Sequence, residues 1–123
     1  MSRILIVEDD ANLCLLYASE FADEGYDVIT AARGDDALRQ IESGLPDLIV
    51  LDIKMEPKDG LEVLDELLKR TKSVPVVINS AYPAFKSDFT TWGADAYVVK
   101  SSDLSELKAK VRALLSAGAI SPS

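Results

Sequence analysis

Polar side chains stand at the ends of four apolar segments of this 123-residue chain. They are Glu8 with Asp9, then Asp52, Ser80 and Lys100. Carboxylates and a backbone carbonyl can together hold a hard, octahedral cation such as Mg²⁺. The lysine can pair with Asp52 or with anionic oxygens, and the hydroxyl can donate a hydrogen bond to a new acceptor. These residue types therefore indicate a charged site.

Each of these residues also has a plain structural explanation. Asp52 could simply begin a loop, because Asp is common in turns, and Ser80 could be a turn residue. Asp9 or Asp10 could cap the helix that follows, where acids are favoured. Lys100 could form an ion pair that only offsets the acids. Their joint occurrence at matching strand ends favours a site. Asp10 could still cap the helix while Glu8 and Asp9 hold a cation.

The rest of the chain must position these residues. Unbroken apolar runs are typical of strands buried on both faces. Alternating strands and helices predict a parallel sheet with helices on both faces, whose strands share one carboxyl edge. The predicted strands are Arg3–Val7, 26–30, 46–52, 74–78 and 94–99, and the predicted helices are 11–24, Gly34–Ser43, 61–70, a short or irregular segment within 82–92, and a last helix from Asp103.

Three local details of the helices are also expected. Asp103 and Glu106 have the spacing of a capping box at the start of the last helix. Pro57 and Gly60 are expected to punctuate a loop before the third helix. The apolar face of the first helix is expected to carry Leu13, Leu15, Leu16, Ala18, Phe21 and Ala22.

Composition narrows the classes of function. The formal net charge is -8 and no basic stripe is present, which argues against binding to nucleic acid or to an anionic membrane. Cys14 is the single cysteine and is expected to be a small core residue, so an internal disulfide is excluded. No apolar run is long enough to span a bilayer, and a cytoplasmic location is expected. One domain over residues 1–118 and a flexible tail over 119–123 are predicted.

The chain resembles the receiver domains of two-component response regulators over essentially its whole length. The segments that carry the resemblance are Ile-Leu-Ile-Val-Glu-Asp-Asp (4–10), Pro-Asp-Leu-Ile-Val-Leu-Asp (46–52), Met55, Asp59-Gly60, Ser80-Ala81 and Gly-Ala-Asp-Ala-Tyr-Val-Val-Lys (93–100). The resemblance implies a flavodoxin-like (βα)5 three-layer sandwich with strand order 2-1-3-4-5. It also implies a stand-alone switch like the chemotaxis response regulators.

The resemblance further implies how the site would work. Asp52 would accept a phosphoryl group from a phosphohistidine on a sensor kinase or phosphotransfer protein. Glu8 and Asp9 would hold Mg²⁺, or Mn²⁺ as a substitute, together with Asp52 and the backbone carbonyl of Lys54. Lys100 would contact a phosphoryl oxygen. The domain would not be an enzyme beyond catalysing its own phosphorylation and dephosphorylation.

The output would follow from a rearrangement that starts at the phosphoryl group. Ser80 would move to hydrogen-bond it, and Tyr97 would swing between outward and inward rotamers. The surface of the fourth helix (82–92), the fifth strand and the fifth helix would then bind a downstream protein effector or serve a phosphorelay. Lys54 and Tyr82 fall at positions that tune phosphoryl lifetime in the family, so slow self-dephosphorylation is hypothesised.

Two departures from the family pattern affect the loops. Ser101 follows Lys100 where family members usually have proline in a cis peptide, so trans and cis are both open here. Glu56 stands where proline usually follows the methionine of the third loop.

Two other functions remain as alternatives. One is a receiver that docks partners without phosphorylation, which the intact set of site residues argues against. The other is a Mg²⁺-dependent phosphatase, which needs a carboxylate shortly after its nucleophile. Lys54 stands in that position and argues against the phosphatase.

Overall fold

The computed structural model describes residues 2–52, 57–70, 73–81 and 93–120. Its five parallel strands form one sheet in the order β2-β1-β3-β4-β5. The strands are β1 (Arg3–Val7), β2 (Asp27–Ala31), β3 (Leu48–Leu51), β4 (Val76–Ser80) and β5 (Ala96–Val99), and the described helices are α1 (Ala11–Asp23), α2 (Gly34–Ser43), α3 (Pro57–Arg70) and α4 (Ser105–Ile120). This confirms the parallel sheet predicted from the residues, and the flavodoxin-like fold and strand order that the family resemblance implied. The helix predicted within 82–92 lies outside the described residues.

Apolar side chains pack on both faces of the sheet, because successive residues of a strand point to opposite sides. One core lies under α2 and α3 and contains Leu5, Ala37, Ile41, Ile49, Leu64, Leu67 and Ile78. The other lies under α1 and α4 and contains Ile4, Ile6, Tyr17, Phe21, Val50, Val77, Leu107 and Val111. The molecule is therefore a sandwich of helix, sheet and helix layers. Within the described ranges, no helix combines the length and apolar character needed to cross a bilayer.

The expected apolar face of α1 was partly wrong. Leu15 and Leu16 are 71% and 43% exposed, and Ala22 is exposed as well. Tyr17 and Phe21 are the residues of this helix that are buried. The run 13–18 is apolar without interruption, so its periodicity does not single out one face.

The start of α3 also differs from the sequence prediction. Pro57 is its first residue, whereas Pro57 and Gly60 were expected in a loop. Proline suits the first turn of a helix, because its missing N–H would have no partner within the helix there.

Other hydrogen bonds take the place of the capping box expected for the last helix, and α4 begins at Ser105. Asp103 Oδ1 accepts a hydrogen bond from Ser105 N at 2.9 Å. The Asp103 N–H donates to Ser101 Oγ at 3.1 Å, which replaces the expected bond to Glu106. No cis peptide occurs among the described residues, so the Lys100–Ser101 bond is trans. The helix continues to Ile120, past the predicted start of the tail.

Candidate functional site

The carboxyl edge of the sheet brings three acidic side chains together. The register pairs Val7 of β1 with Leu51 of β3, and the next residues on the two chains are Glu8 and Asp52. The Asp52 N–H donates to Val7 O at 3.0 Å and continues this pairing. One carboxylate oxygen from each of Glu8, Asp9 and Asp52 lies within 4.8 Å of the other two. The predicted convergence of these acids is therefore present.

Lys100 supplies a positive charge to the site. Its Nζ lies 2.8 Å from Glu8 Oε1 and 3.2 Å from Asp52 Oδ2. The side chains of the two acids are only 2% and 8% exposed, so solvent screens these ion pairs weakly. The backbone N–H of Lys100 donates to the backbone carbonyl of Ser80 at 2.7 Å. This bond anchors the lysine at the end of β5 beside β4.

Burial dominates the electrostatics of Glu8. It raises the pKa of this carboxyl to about 7, against the lowering effect of the Lys100 hydrogen bond. The nearby charge of Asp52 raises the pKa further, while the backbone N–H of Asp10 lowers it. For Lys100, burial favours the neutral amine, but the hydrogen bond to Glu8 and the charge of Asp52 outweigh it and raise the pKa. The lysine is thus a permanent cation near neutral pH, whereas Glu8 is close to its midpoint.

The charge balance of the site suits a small divalent cation. Among the described residues, the three carboxylates lie around the ammonium group of Lys100, and the side chains of Glu8 and Asp52 are shielded from solvent. Glu8 Oε1 is buried and lies 2.8 Å from Lys100 Nζ. Oxygen ligands of this kind are the ones that Mg²⁺ prefers. Glu8, Asp9 and Asp52 therefore fit such an ion.

Asp10 has a different role from its two acidic neighbours. Its Oδ1 accepts hydrogen bonds from Asn12 N at 2.9 Å and from Leu13 N at 3.1 Å. Asp10 is the N-cap of α1, as one reading of the sequence predicted. Its own N–H donates to Glu8 Oε2 at 3.2 Å, so the cap also holds the buried carboxylate in place.

Ser80 and Tyr97 are both close to this edge but face the core. Ser80 is the last residue of β4 rather than the first of the loop, and it is fully buried. Tyr97 pairs with Ile78 in the register and packs in the core under α2 and α3. Their predicted movements remain predictions. Lys54, whose backbone carbonyl is expected to bind the cation, lies outside the described residues. Tyr82 lies outside them as well.

Two buried polar residues beside the site were not predicted from the sequence. Asn79 of β4 is 3% exposed and Tyr17 of α1 is 2% exposed, and their side chains share a hydrogen bond. An amide within a buried strand was the available signal, because buried polar groups need a partner.

Known proteins share the sequence pattern of this chain. A family model described as the response regulator receiver domain matches residues 4–112. The chain belongs to this family. Response regulator ArlR of Staphylococcus aureus is 38% identical over 121 residues, which cover 94% of this chain and 53% of ArlR. This receiver domain therefore spans about half the length of that curated relative.

Solved structures show the same fold. Response regulator TrrA of Thermotoga maritima, in complex with Mg²⁺-BeF, is 44% identical with a TM-score of 0.84, and the match covers 93% of this chain and 99% of that one. TrrA in complex with histidine kinase ThkA matches at 44% identity and a TM-score of 0.83, covering 94% and 99% of the two chains. NtrX of Brucella abortus, in complex with ADP, is 30% identical with a TM-score of 0.87, but only 27% of NtrX is covered against 97% of this chain.

Proposed function

We propose that this receiver domain accepts a phosphoryl group on Asp52 and works as a signalling switch. The observation that carries the proposal is the Lys100 ammonium, which contacts both Asp52 and Glu8 within a cluster of three acids. An Asp52 oxygen attacks the phosphorus of a phosphohistidine, the P–N bond breaks, and the imidazole leaves. The product is an acyl phosphate on Asp52.

The residues around Asp52 divide the work. Glu8 and Asp9, with Asp52 and the Lys54 carbonyl, hold Mg²⁺ or its substitute Mn²⁺, which neutralises charge on the transferring group when it is bound. The complex of TrrA with Mg²⁺-BeF supports this assignment. Lys100 shifts from Asp52 to an oxygen of the phosphoryl group, as a charge-assisted hydrogen bond favours.

The same proposal covers the response to phosphorylation. Ser80 donates its hydroxyl to the phosphoryl group and Tyr97 changes rotamer, which alters the surface of the 82–92 segment, β5 and α4. Two or three new charge-assisted contacts of about 1.5–3 kcal/mol each suffice to bias a two-state surface. Lys54 and Tyr82 slow the loss of the phosphoryl group by shielding it from water.

The partners follow from this chemistry. The donor is a sensor histidine kinase or a phosphotransfer protein, and the TrrA–ThkA complex supports the kinase. The output is binding to a downstream protein effector or onward phosphotransfer in the cytoplasm, with no direct contact of this domain to nucleic acid or membrane. The acidic net charge of -8 is consistent with protein partners rather than polyanions.

Intact-mass measurement tests the proposal. The protein is incubated with Mg²⁺ and phosphoramidate, and a phosphoryl mass increment is expected that disappears in Asp52→Asn and with a chelator. Asp10→Asn is the matched control, because Asn also caps helices and the charge it removes lies beside the site. This control is expected to keep the increment. Absence of the increment in a wild type that binds Mg²⁺ would support the docking receiver that needs no phosphorylation.

A further inference from the structure

A buried polar pair lies beside the acidic site. Tyr17 of α1 and Asn79 of β4 are nearly fully buried, and their side chains share a hydrogen bond. Their neighbours in this core are apolar, including Val50, Val77 and Val98. Burying two polar groups here is costly unless they remain paired. The pair therefore depends on the spacing between helix and strand.

The strand register places Asn79 beside the proposed phosphoacceptor. Leu51 of β3 pairs with Ile78 of β4, and the following residues are Asp52 and Asn79. Neighbours at one level of a sheet have side chains on the same face. Asn79 is thus next to Asp52 in the same row that contains Glu8 on the other side.

Helix α1 connects the same pair to the other acids of the site. The helix begins immediately after Glu8 and Asp9, and its N-cap Asp10 bonds Glu8 through its backbone N–H. Tyr17 lies in the second turn of α1. The charges of Lys100, Glu8 and Asp52 all influence the pKa of its hydroxyl. A shift of α1 along the sheet would move the Glu8–Asp9 segment relative to Asp52.

We propose that Tyr17 and Asn79 are positioning residues of this site, and that their hydrogen bond fixes the helix that follows the cation-binding acids against the strand beside Asp52. The proposal rests on the proposed function for its role in phosphorylation. Neither residue is proposed to take part in the phosphoryl transfer itself. Their effect is to keep Glu8, Asp9 and Asp52 at the spacing that binds a divalent cation.

Three variants separate positioning from plain stability. Tyr17→Phe removes the hydroxyl, Asn79→Leu removes the amide, and the double variant replaces the polar pair with an apolar one of similar shape. Such a replacement can be nearly neutral for folding, whereas each single change leaves a buried group unpaired. The measurements are urea unfolding, Mg²⁺ affinity by titration calorimetry, and the labelling rate with phosphoramidate at saturating Mg²⁺.

The expected result is a roughly 3- to 10-fold loss of Mg²⁺ affinity in all three variants, as geometric tuning around metal ligands commonly gives 10-fold or more. The urea midpoint is expected to fall in the single variants and to recover in the double variant. Labelling is expected to slow in parallel with affinity. If the double variant recovered both Mg²⁺ affinity and stability, the pair would be a structural contact only, and the proposal would be wrong.

Thr30→Val is the matched control. It removes a side-chain hydrogen bond between Cys14 of the same helix and the edge strand β2. Mg²⁺ affinity is expected to stay within twofold of wild type. An equal loss in Thr30→Val and Tyr17→Phe would overturn the proposal. A wild type that binds Mg²⁺ without being labelled would refute the phosphoacceptor function alone, because calorimetry still decides the positioning role.

Discussion

The Lys100 ammonium reaches across the ends of β4 and β3 to lie 2.8 Å from Glu8, which is nearer than its 3.2 Å separation from Asp52. The lysine is thus shared between a buried acid that stays in place and an acid that is proposed to react. Glu8 keeps the ammonium at the edge of the sheet, where an incoming phosphoryl group would meet it.

Lys100→Met is expected to destabilise the protein by about 3 kcal/mol at pH 8, because removing one partner leaves buried carboxylates without compensation. At pH 5 the loss is expected to be smaller, since the raised pKa of Glu8 lets this carboxyl take up a proton. Urea unfolding at both pH values measures the difference. Lys69→Met, at an exposed ion pair with Asp65, serves as the control. If Lys100→Met lost the same stability at pH 5 and pH 8, this would argue against a raised pKa of Glu8.

Glu8→Gln is expected to be more stable than wild type at alkaline pH in the absence of divalent cations. The pKa of Glu8 is raised from 4.5 to about 7 on folding, so the folded chain binds more protons than the unfolded chain between these values. Wild-type stability therefore falls as pH rises through this window. Each pKa unit corresponds to about 1.4 kcal/mol, which gives an advantage of about 3 kcal/mol for Glu8→Gln at pH 8.

Below about pH 4.5 the two proteins are expected to have the same stability, because Glu8 is protonated in both folded and unfolded chains there. Thermal unfolding across pH 4–9 checks this, with Asp10→Asn as a variant that removes an adjacent, exposed charge and keeps the backbone N–H that bonds Glu8. A constant difference between Glu8→Gln and wild type at all pH values would contradict the prediction.

Affinity for Mg²⁺ is expected to fall as the pH drops below about 7. A proton competes with the cation for the Glu8 carboxylate, whose pKa is raised to about 7 by burial. The expected loss is about tenfold for each pH unit below that value. Titration calorimetry at pH 8, 7 and 6 measures it. Glu8→Gln should bind more weakly but with a flatter profile, and an equally steep profile in this variant would assign the titration to another group.

Replacing Gly25 or Gly93 by alanine is expected to lower the free energy of unfolding by different amounts. Gly25 after α1 has φ +95° and open space where a Cβ would lie, so Gly25→Ala is expected to cost about 1–2 kcal/mol for the left-handed backbone alone. Gly93 has φ +90°, and a Cβ there would lie 2.8 Å from Leu68 Cδ1. Gly93→Ala is expected to cost about 1 kcal/mol more, because Leu68 must leave its rotamer. Urea unfolding of both variants, and of Gly93→Ala with Leu68→Ala, tests whether the contact accounts for the difference.

Sequence alone predicted the sheet well, because buried parallel strands are continuous apolar runs that end in polar residues. The acids and Lys100 were found for the same reason, since the carboxyl ends of parallel strands share one edge. The core face of α1 was not predictable, because Leu15 and Leu16 belong to an apolar run whose orientation is decided by packing. The pairing of Tyr17 with Asn79 was missed because it joins a helix to a strand that is not its neighbour in sequence.

The wide separation along the chain of Glu8, Asp52 and Lys100 has a consequence for folding. These groups meet only when β1, β3 and β5 occupy one sheet, so an unfolded chain has no comparable arrangement of charges. A cation that binds the assembled acids acts as a folding ligand, adding about 2.7 kcal/mol to the free energy of unfolding at a hundred times its dissociation constant. The concentration of free magnesium around the protein would then help to set how much of it is folded.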